Sequence, residues 1–176
     1  MSEAYELRGD SHIEVHKFFP GAILGVTIVV LILQAAFPIY MPKLDFVDLP
    51  LLITIYFGLS RRNPSTGLLL GMMIGLLQDS LSGPTVPLGL YGIAKTVIGF
   101  LASSIGAKLD TEHPVARFSL IMGFFVLHQS ILVLTRRLLL AQPEPWFNLH
   151  LVMAAAVNAV LGTVLFLLLD RLRRSS

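Results

Sequence analysis

Apolar residues in this chain gather into six long blocks, separated by short breaks rich in charge, proline or glycine. Blocks of this kind predict membrane-spanning α-helices, not the alternating pattern of half-buried strands. The first predicted helix runs from about Pro20 to Phe37, with Gln34 as its one strongly polar residue, read as interfacial. Pro38-Ile39-Tyr40-Met41-Pro42 is expected to break it, and Lys43, Asp45 and Asp48 make a polar turn. The second helix, about Phe46 to Leu59, rises only ~21 Å, short of the ~30 Å hydrocarbon core. It requires a thinned bilayer or shelter from its neighbours.

Arg61-Arg62-Asn63-Pro64 closes the second helix and opens the third. Asn63 can cap a helix, and proline suits a first turn because its missing N–H is not needed there. The third helix covers about Ser65 to Leu81. Ser82-Gly83-Pro84-Thr85-Val86-Pro87 is a tight turn, and the fourth helix follows from about Leu88 to Ala107. The fifth covers about Phe118 to Thr135 and the sixth about Phe147 to Leu169.

Composition agrees: 55% of the residues are hydrophobic and 14% charged, with a mean hydropathy of +0.76. A soluble domain of this length needs more polar surface. The fold class expected is therefore an all-α polytopic bundle of six transmembrane helices. It has one membrane domain over 20–170, an N-terminal cytoplasmic segment over 1–19 and a basic cytoplasmic tail over 171–176. The charged residues before Pro20 and the lack of a small-residue cleavage site read as an uncleaved first span. A net charge of +2 is too small to suggest nucleic acid, and no cysteine is present to form a disulfide or a thiolate metal site.

With six spans both termini share one side. That side holds nine basic residues: Arg8, Lys17, Arg61, Arg62, Lys108, Arg117, Arg171, Arg173 and Arg174. The other holds three, Lys43, Arg136 and Arg137, and Lys95 lies within a span. The bias predicts cytoplasmic termini. Arg136 and Arg137 run against it, either as anchors snorkelling to headgroups beside Trp146 or as contacts for a partner.

Several polar residues fall inside the spans. At ~1.5 Å rise per residue, Asp79 lies ~21 Å and Lys95 ~20 Å from the cytoplasmic edge. These helices are consecutive and antiparallel, so Asp79 and Lys95 are predicted to pair. His128 at ~17 Å and Asn158 at ~18 Å share the band. The four residues could form a polar layer that either locks the helices or lines a pocket. His128 and Asn158 also suit plain interhelical hydrogen bonding. Gly71 and Gly75, four apart, allow close helix packing, as do Gly21 with Gly25, Gly99 with Ser103 and Ala102 with Gly106. No hydrolase elbow, P-loop or zinc helix is present. No cofactor is expected.

One stretch carries a family resemblance. Asp48-Leu49-Pro50-Leu51-Leu52-Ile53 leads to Tyr56 and the basic turn Arg61-Arg62. Gly71-x-x-x-Gly75-Leu76-Leu77-x-Asp79-x-Leu81-Ser82-Gly83 follows, then Leu88-Gly89 and Tyr91. This resembles the rod shape-determining MreD family. The resemblance implies a non-enzymatic subunit of the cell-elongation machinery in the bacterial inner membrane. The partners it implies are the bitopic protein MreC, the glycan polymerase RodA, a class B penicillin-binding transpeptidase, actin-like filaments and lipid; a homodimer stays open. Gly71, Gly75, Gly83 and Gly89 are then helix-packing or partner-binding positions. The family fold is similar to the substrate-binding subunits of energy-coupling-factor vitamin transporters, which makes such a subunit the alternative function. An intramembrane enzyme using Asp79 and His128 is a third reading.

Overall fold

A computed structural model describes residues 20–41, 44–83, 86–109, 113–142, 145 and 148–171. The segment 1–19, the tail beyond Arg171, Lys43 and Trp146 lie outside the described residues. Six α-helices make up the described fold: α1 Pro20–Tyr40, α2 Leu49–Arg61, α3 Pro64–Leu81, α4 Leu90–Gly106, α5 Pro114–Leu139 and α6 Leu149–Asp170. The end of the bundle where α1 begins and α6 finishes is called the lower end, and the opposite end the upper.

The helix starts follow local chemistry. Asn63 Oδ1 accepts from the Ser65 and Thr66 N–H groups, with Pro64 at the first helical position. Asn148 Oδ1 accepts from Leu151 N–H, and His113 Nδ1 accepts from Val115 N–H ahead of Pro114. Each satisfies an N–H group that the first turn leaves unpaired.

Helices α1 and α5 run longer than expected, and α2 starts three residues later, at Leu49. Helix α1 continues past Pro38 to Tyr40, and the Met41 N–H still bonds the Phe37 carbonyl at 2.8 Å. A proline near a helix end removes one ladder bond without forcing a stop. Helix α5 starts before Arg117 and ends after Arg137. Arginine is a good helix former, so charge marks membrane depth and not the end of a helix.

Helix α2 is the centre of the bundle and packs against all five others. Its residues Pro50 to Ser60 are all buried. Leu51, Leu52, Ile55 and Phe57 meet Ile98 of α4, Ile121 and Phe125 of α5, and Phe166 of α6 in one core. Shelter by neighbours is thus the solution for a helix of 13 residues that rises only ~20 Å.

Helices α3 and α4 form the most extensive pair. A Cβ at Gly71 would sit 2.0 Å from the Lys95 carbonyl oxygen, and one at Gly75 would sit 2.7 Å from Gly92 Cα. Only glycine permits backbones this close. The opposite faces carry exposed apolar side chains, among them Leu69, Met73 and Leu77 on α3, and Val160, Val164 and Leu168 on α6. Helices α5 and α6 are long and apolar enough to cross a membrane; the apolar stretches Gly21–Phe37, Leu49–Arg61 and Leu90–Gly106 are shorter.

Candidate functional site

The short α2 has a consequence for the residues before it. Asp48 caps α2, its Oδ1 accepting from Leu51 N–H at 2.9 Å. The Asp48 N–H donates to Asn158 Oδ1 at 3.1 Å. Asn158 lies nine residues into α6, ~14 Å below that helix's upper end. The turn over 44–48 therefore dips into the bundle. It is held there by side chains on two helices. Asn158 Nδ2 donates to the Phe46 carbonyl, Gln34 Nε2 donates to the Val47 carbonyl, and Gln34 Oε1 accepts from Leu49 N–H, each at 2.9 Å. Backbone groups buried away from water need such partners.

At the bottom of this turn Lys95 Nζ lies 2.7 Å from Asp48 Oδ2. The Lys95 side chain is 0% exposed and that of Asp48 12%. His128 Nε2 is 3.4 Å from Lys95 Nζ and 3.9 Å from Asp48 Oδ2. The Tyr91 ring completes the surroundings. Lys95 Nζ sits 5.0 Å from its centroid, and the His128 ring stacks on it at 6.3 Å. A buried ammonium is tolerable only with a close counter-charge, and the cation over the aromatic face adds to it. His128 Nδ1 is buried and has no hydrogen-bond partner among the described residues.

The expected Asp79–Lys95 pair is not formed. Asp79 spends its carboxylate on the start of α4 instead. Oδ2 accepts from Gly89 N–H at 2.9 Å and Gly92 N–H at 3.0 Å, and Oδ1 accepts from Tyr91 N–H at 2.9 Å. Gly89 occupies the cap position with φ 97° and offers no side chain of its own. The residue from the preceding helix takes over that role, and its negative charge suits the positive end of the α4 dipole. The expected equal depth also fails in the packed pair: the Lys95 carbonyl lies against Gly71, about two turns of α3 below Asp79, so depth counted from the helix ends could not separate the two outcomes. Three free N–H groups and a second carboxylate decided them.

Lys95, His128 and Asn158 therefore meet around Asp48, and Asp79 stands above them in the last turn of α3. Gly71 and Gly75 face α4, which leaves no room for another helix on that stripe. Gly83 and Gly89 lie in the turn with φ of 81° and 97°, a region that favours glycine. Asp48, Gln34 and Tyr91 carry more of the site than sequence reasoning assigned to them. The available signal was the length of the second block: a span too short for the bilayer places its flanking turn inside it.

Above the cluster opens a cleft of ≈ 560 Å³. Asp45, Asp48, Gln129, Arg136 and His150 supply its polar lining, and Phe46, Tyr91 and Phe125 its aromatic lining. Gln78, almost fully buried, also lines it, and its Oε1 has no hydrogen-bond partner among the described residues. Such a cleft offers both donors and acceptors to a polar group beside aromatic faces. Among the described residues, no group of three or more histidine, aspartate or glutamate side chains is placed to hold a metal ion.

The lower end has its own lock. Arg117 Nη1 donates to Asp170 Oδ2 at 2.6 Å, and Tyr56 Oη donates to Asp170 Oδ1 at 3.0 Å. One carboxylate thereby joins α2, α5 and α6. Arg117 reads as a cytoplasmic-side charge and the sixth span as ending at Leu169, so the shared depth of Arg117 and Asp170 on an antiparallel pair was the signal for this contact.

Residues 15–174 match the family model described as rod shape-determining protein MreD. No curated protein and no solved structure matches the chain.

Proposed function

The chain belongs to the rod shape-determining MreD family, and from that premise we propose that it is a non-enzymatic inner-membrane scaffold that binds MreC and couples it to peptidoglycan synthesis. The family places the chain in rod shape determination, and its apolar helices make it a membrane protein. The match over nearly the whole chain carries the reading.

In this reading all six helices are spans of one membrane domain over 20–170. Residues 1–19 and the tail 171–176 lie in the cytoplasm, which makes the lower end the cytoplasmic one. The proposed architecture is like that of the vitamin-binding subunits, with the polymerase RodA and a class B transpeptidase as further partners. The outward apolar faces of α3 and α6 support a lipid-facing bundle, because a polar group on them would cost several kcal/mol in hydrocarbon, on the order of 2.5–3.5 for a charge.

Depletion of the protein in a rod-shaped host with no second copy is expected to give round cells. Rods that persist through depletion would overturn the reading. A second reading, a vitamin-binding transporter subunit, is favoured by the size of the upper cleft, which falls within the ~300–1,000 Å³ range of small-molecule sites. Mass spectrometry of the purified protein separates the two. A retained vitamin and an ATPase module support the transporter, and MreC without either supports the scaffold.

A further inference from the structure

Two recesses meet at the upper end of the bundle. One is the cleft of ≈ 560 Å³ above Asp48, and the other is a hollow of ≈ 380 Å³ between α1 and the α3–α4 turn. Gln34, Asp45, Gln78 and Tyr91 line both, so the two are contiguous. Among the described residues α1 packs on α2 and α3 but not on α4, which leaves the hollow open at the side. That side is apolar, with Leu31, Ala35 and Phe37 of α1 on one wall and Leu81 and Val86 on the other. Ala35 and Leu81 are exposed on the outer surface of the bundle.

The wall shared by the two recesses holds an unanswered polar group. Gln78 is 6% exposed, and its Oε1 is buried with no hydrogen-bond partner among the described residues. Folded chains leave few such acceptors, because a bond left unmade away from water is costly. A donor from a bound molecule removes that cost. Asp45 adds a carboxylate to both recesses and Gln129 a second amide to the cleft, while Phe46 and Phe125 bring apolar ring faces. A hydroxyl suits this set, since it donates to a carboxylate or amide oxygen and accepts from an amide N–H. An ionised phosphate only accepts and leaves the Gln78 oxygen unanswered.

We propose that the two recesses together seat a membrane lipid with an uncharged, hydroxyl-bearing headgroup. The headgroup lies in the cleft against Gln78, and the chain leaves sideways between α1 and the α3–α4 turn. The proposal rests on the chain being a membrane protein and not on its scaffold role. The lateral opening selects the occupant. A free polar solute fits the cleft but makes no use of the apolar side exit. A partner's helix, ~10 Å across with its side chains, is too wide for recesses of this size.

The test uses the full chain purified in an amine-oxide detergent, which carries no sugar, with bound lipids counted by native mass spectrometry. The probes are monoglucosyl diacylglycerol and phosphatidylcholine with the same acyl chains; the second has no donor in its headgroup. The glucolipid is expected to bind about tenfold more tightly, the size of one to two hydrogen bonds to buried groups. Gln78→Leu should remove that preference. Ala35→Trp, which narrows the side exit, should weaken binding of the glucolipid, and Val160→Trp on the outer face of α6 should leave it intact. If Gln78→Leu fails to fold, the comparison of the two lipids and the Ala35→Trp variant still decide. Equal binding of the two lipids overturns the proposal, as does a preference that survives Gln78→Leu. Methyl glucoside binding as tightly as the glucolipid, with no effect of Ala35→Trp, overturns it in favour of a soluble ligand. Equal loss in Val160→Trp and Ala35→Trp overturns it in favour of unspecific lipid. The readout is independent of cell shape, so its failure would leave the scaffold reading standing.

Discussion

Lys95 and Asp48 are 47 positions apart in the chain, yet Nζ and Oδ2 meet at 2.7 Å in the middle of the bundle. The pair joins α4 to the cap of the central helix. Asp48 at the same time receives the Leu51 N–H and, through its backbone, bonds Asn158. Removing either charge strands the other, at a cost of about 3–5 kcal/mol. Lys95→Met and Asp48→Asn should each lower the unfolding midpoint in detergent strongly. The double substitution should cost much less than their sum. Additive losses in the double-mutant cycle would show that the two residues are not coupled.

Asp79 should behave differently. Asp79→Ala removes the two carboxylate oxygens that accept three charge-assisted hydrogen bonds at the start of α4, and is expected to cost at least about 1.5–3 kcal/mol. Its coupling to Lys95→Met should be smaller than the coupling of Asp48 to Lys95, since Asp79 bonds backbone N–H groups and not the ammonium. Hydrogen exchange gives an independent check. The amides of Gly89, Tyr91 and Gly92 should lose protection in Asp79→Ala, and unchanged protection would count against the capping role.

The close approach of α3 and α4 makes a sharp steric prediction. Gly71→Ala places a methyl group on the Lys95 carbonyl, and backbone cannot step aside as a side-chain tip can. Overpacking of this kind typically costs about 1–3 kcal/mol, occasionally more. Gly25→Ala on α1 meets nothing within 4 Å and should leave stability unchanged. Thermal unfolding of the two variants side by side would check the contrast; equal effects would contradict the packing.

Arg117 and Asp170 form the lower clamp, with side chains 5% and 24% exposed. Asp170→Asn keeps the shape and weakens the contact. Asp170→Ala also removes the acceptor for Tyr56. The Ala variant should lose about 1–2 kcal/mol more than Tyr56→Phe alone, which deletes one hydrogen bond. If the two variants unfold together, the clamp contributes little beyond the tyrosine.

Gln78 offers the opposite sign. Its buried Oε1 lacks a partner among the described residues, so Gln78→Leu should leave the isolated protein as stable or make it more stable. A clear fall in the unfolding midpoint would mean that the amide is satisfied within the chain.

The sequence by itself determined the helical membrane class, the six helices in order and the capping residues Asn63 and Pro64, because these depend on local composition and on which groups a first turn leaves unpaired. It also carried the family, through a run of glycines and an aspartate with fixed spacing. It ranked Asp79, Lys95, His128 and Asn158 at one depth from a constant rise per residue, and the packing keeps the last three together while Asp79 sits higher, at the start of α4. Only the tertiary structure decided how those charges pair. Asp48 reads as a surface residue until the short α2 and the side chains of Gln34 and Asn158 draw its turn into the bundle. Asp79 reads as a counter-ion until the glycine at the start of α4 leaves N–H groups for it to cap. Pairing of buried charges depends on which donors lie within about 3 Å once the helices have packed, and that distance is set by residues far away in the chain.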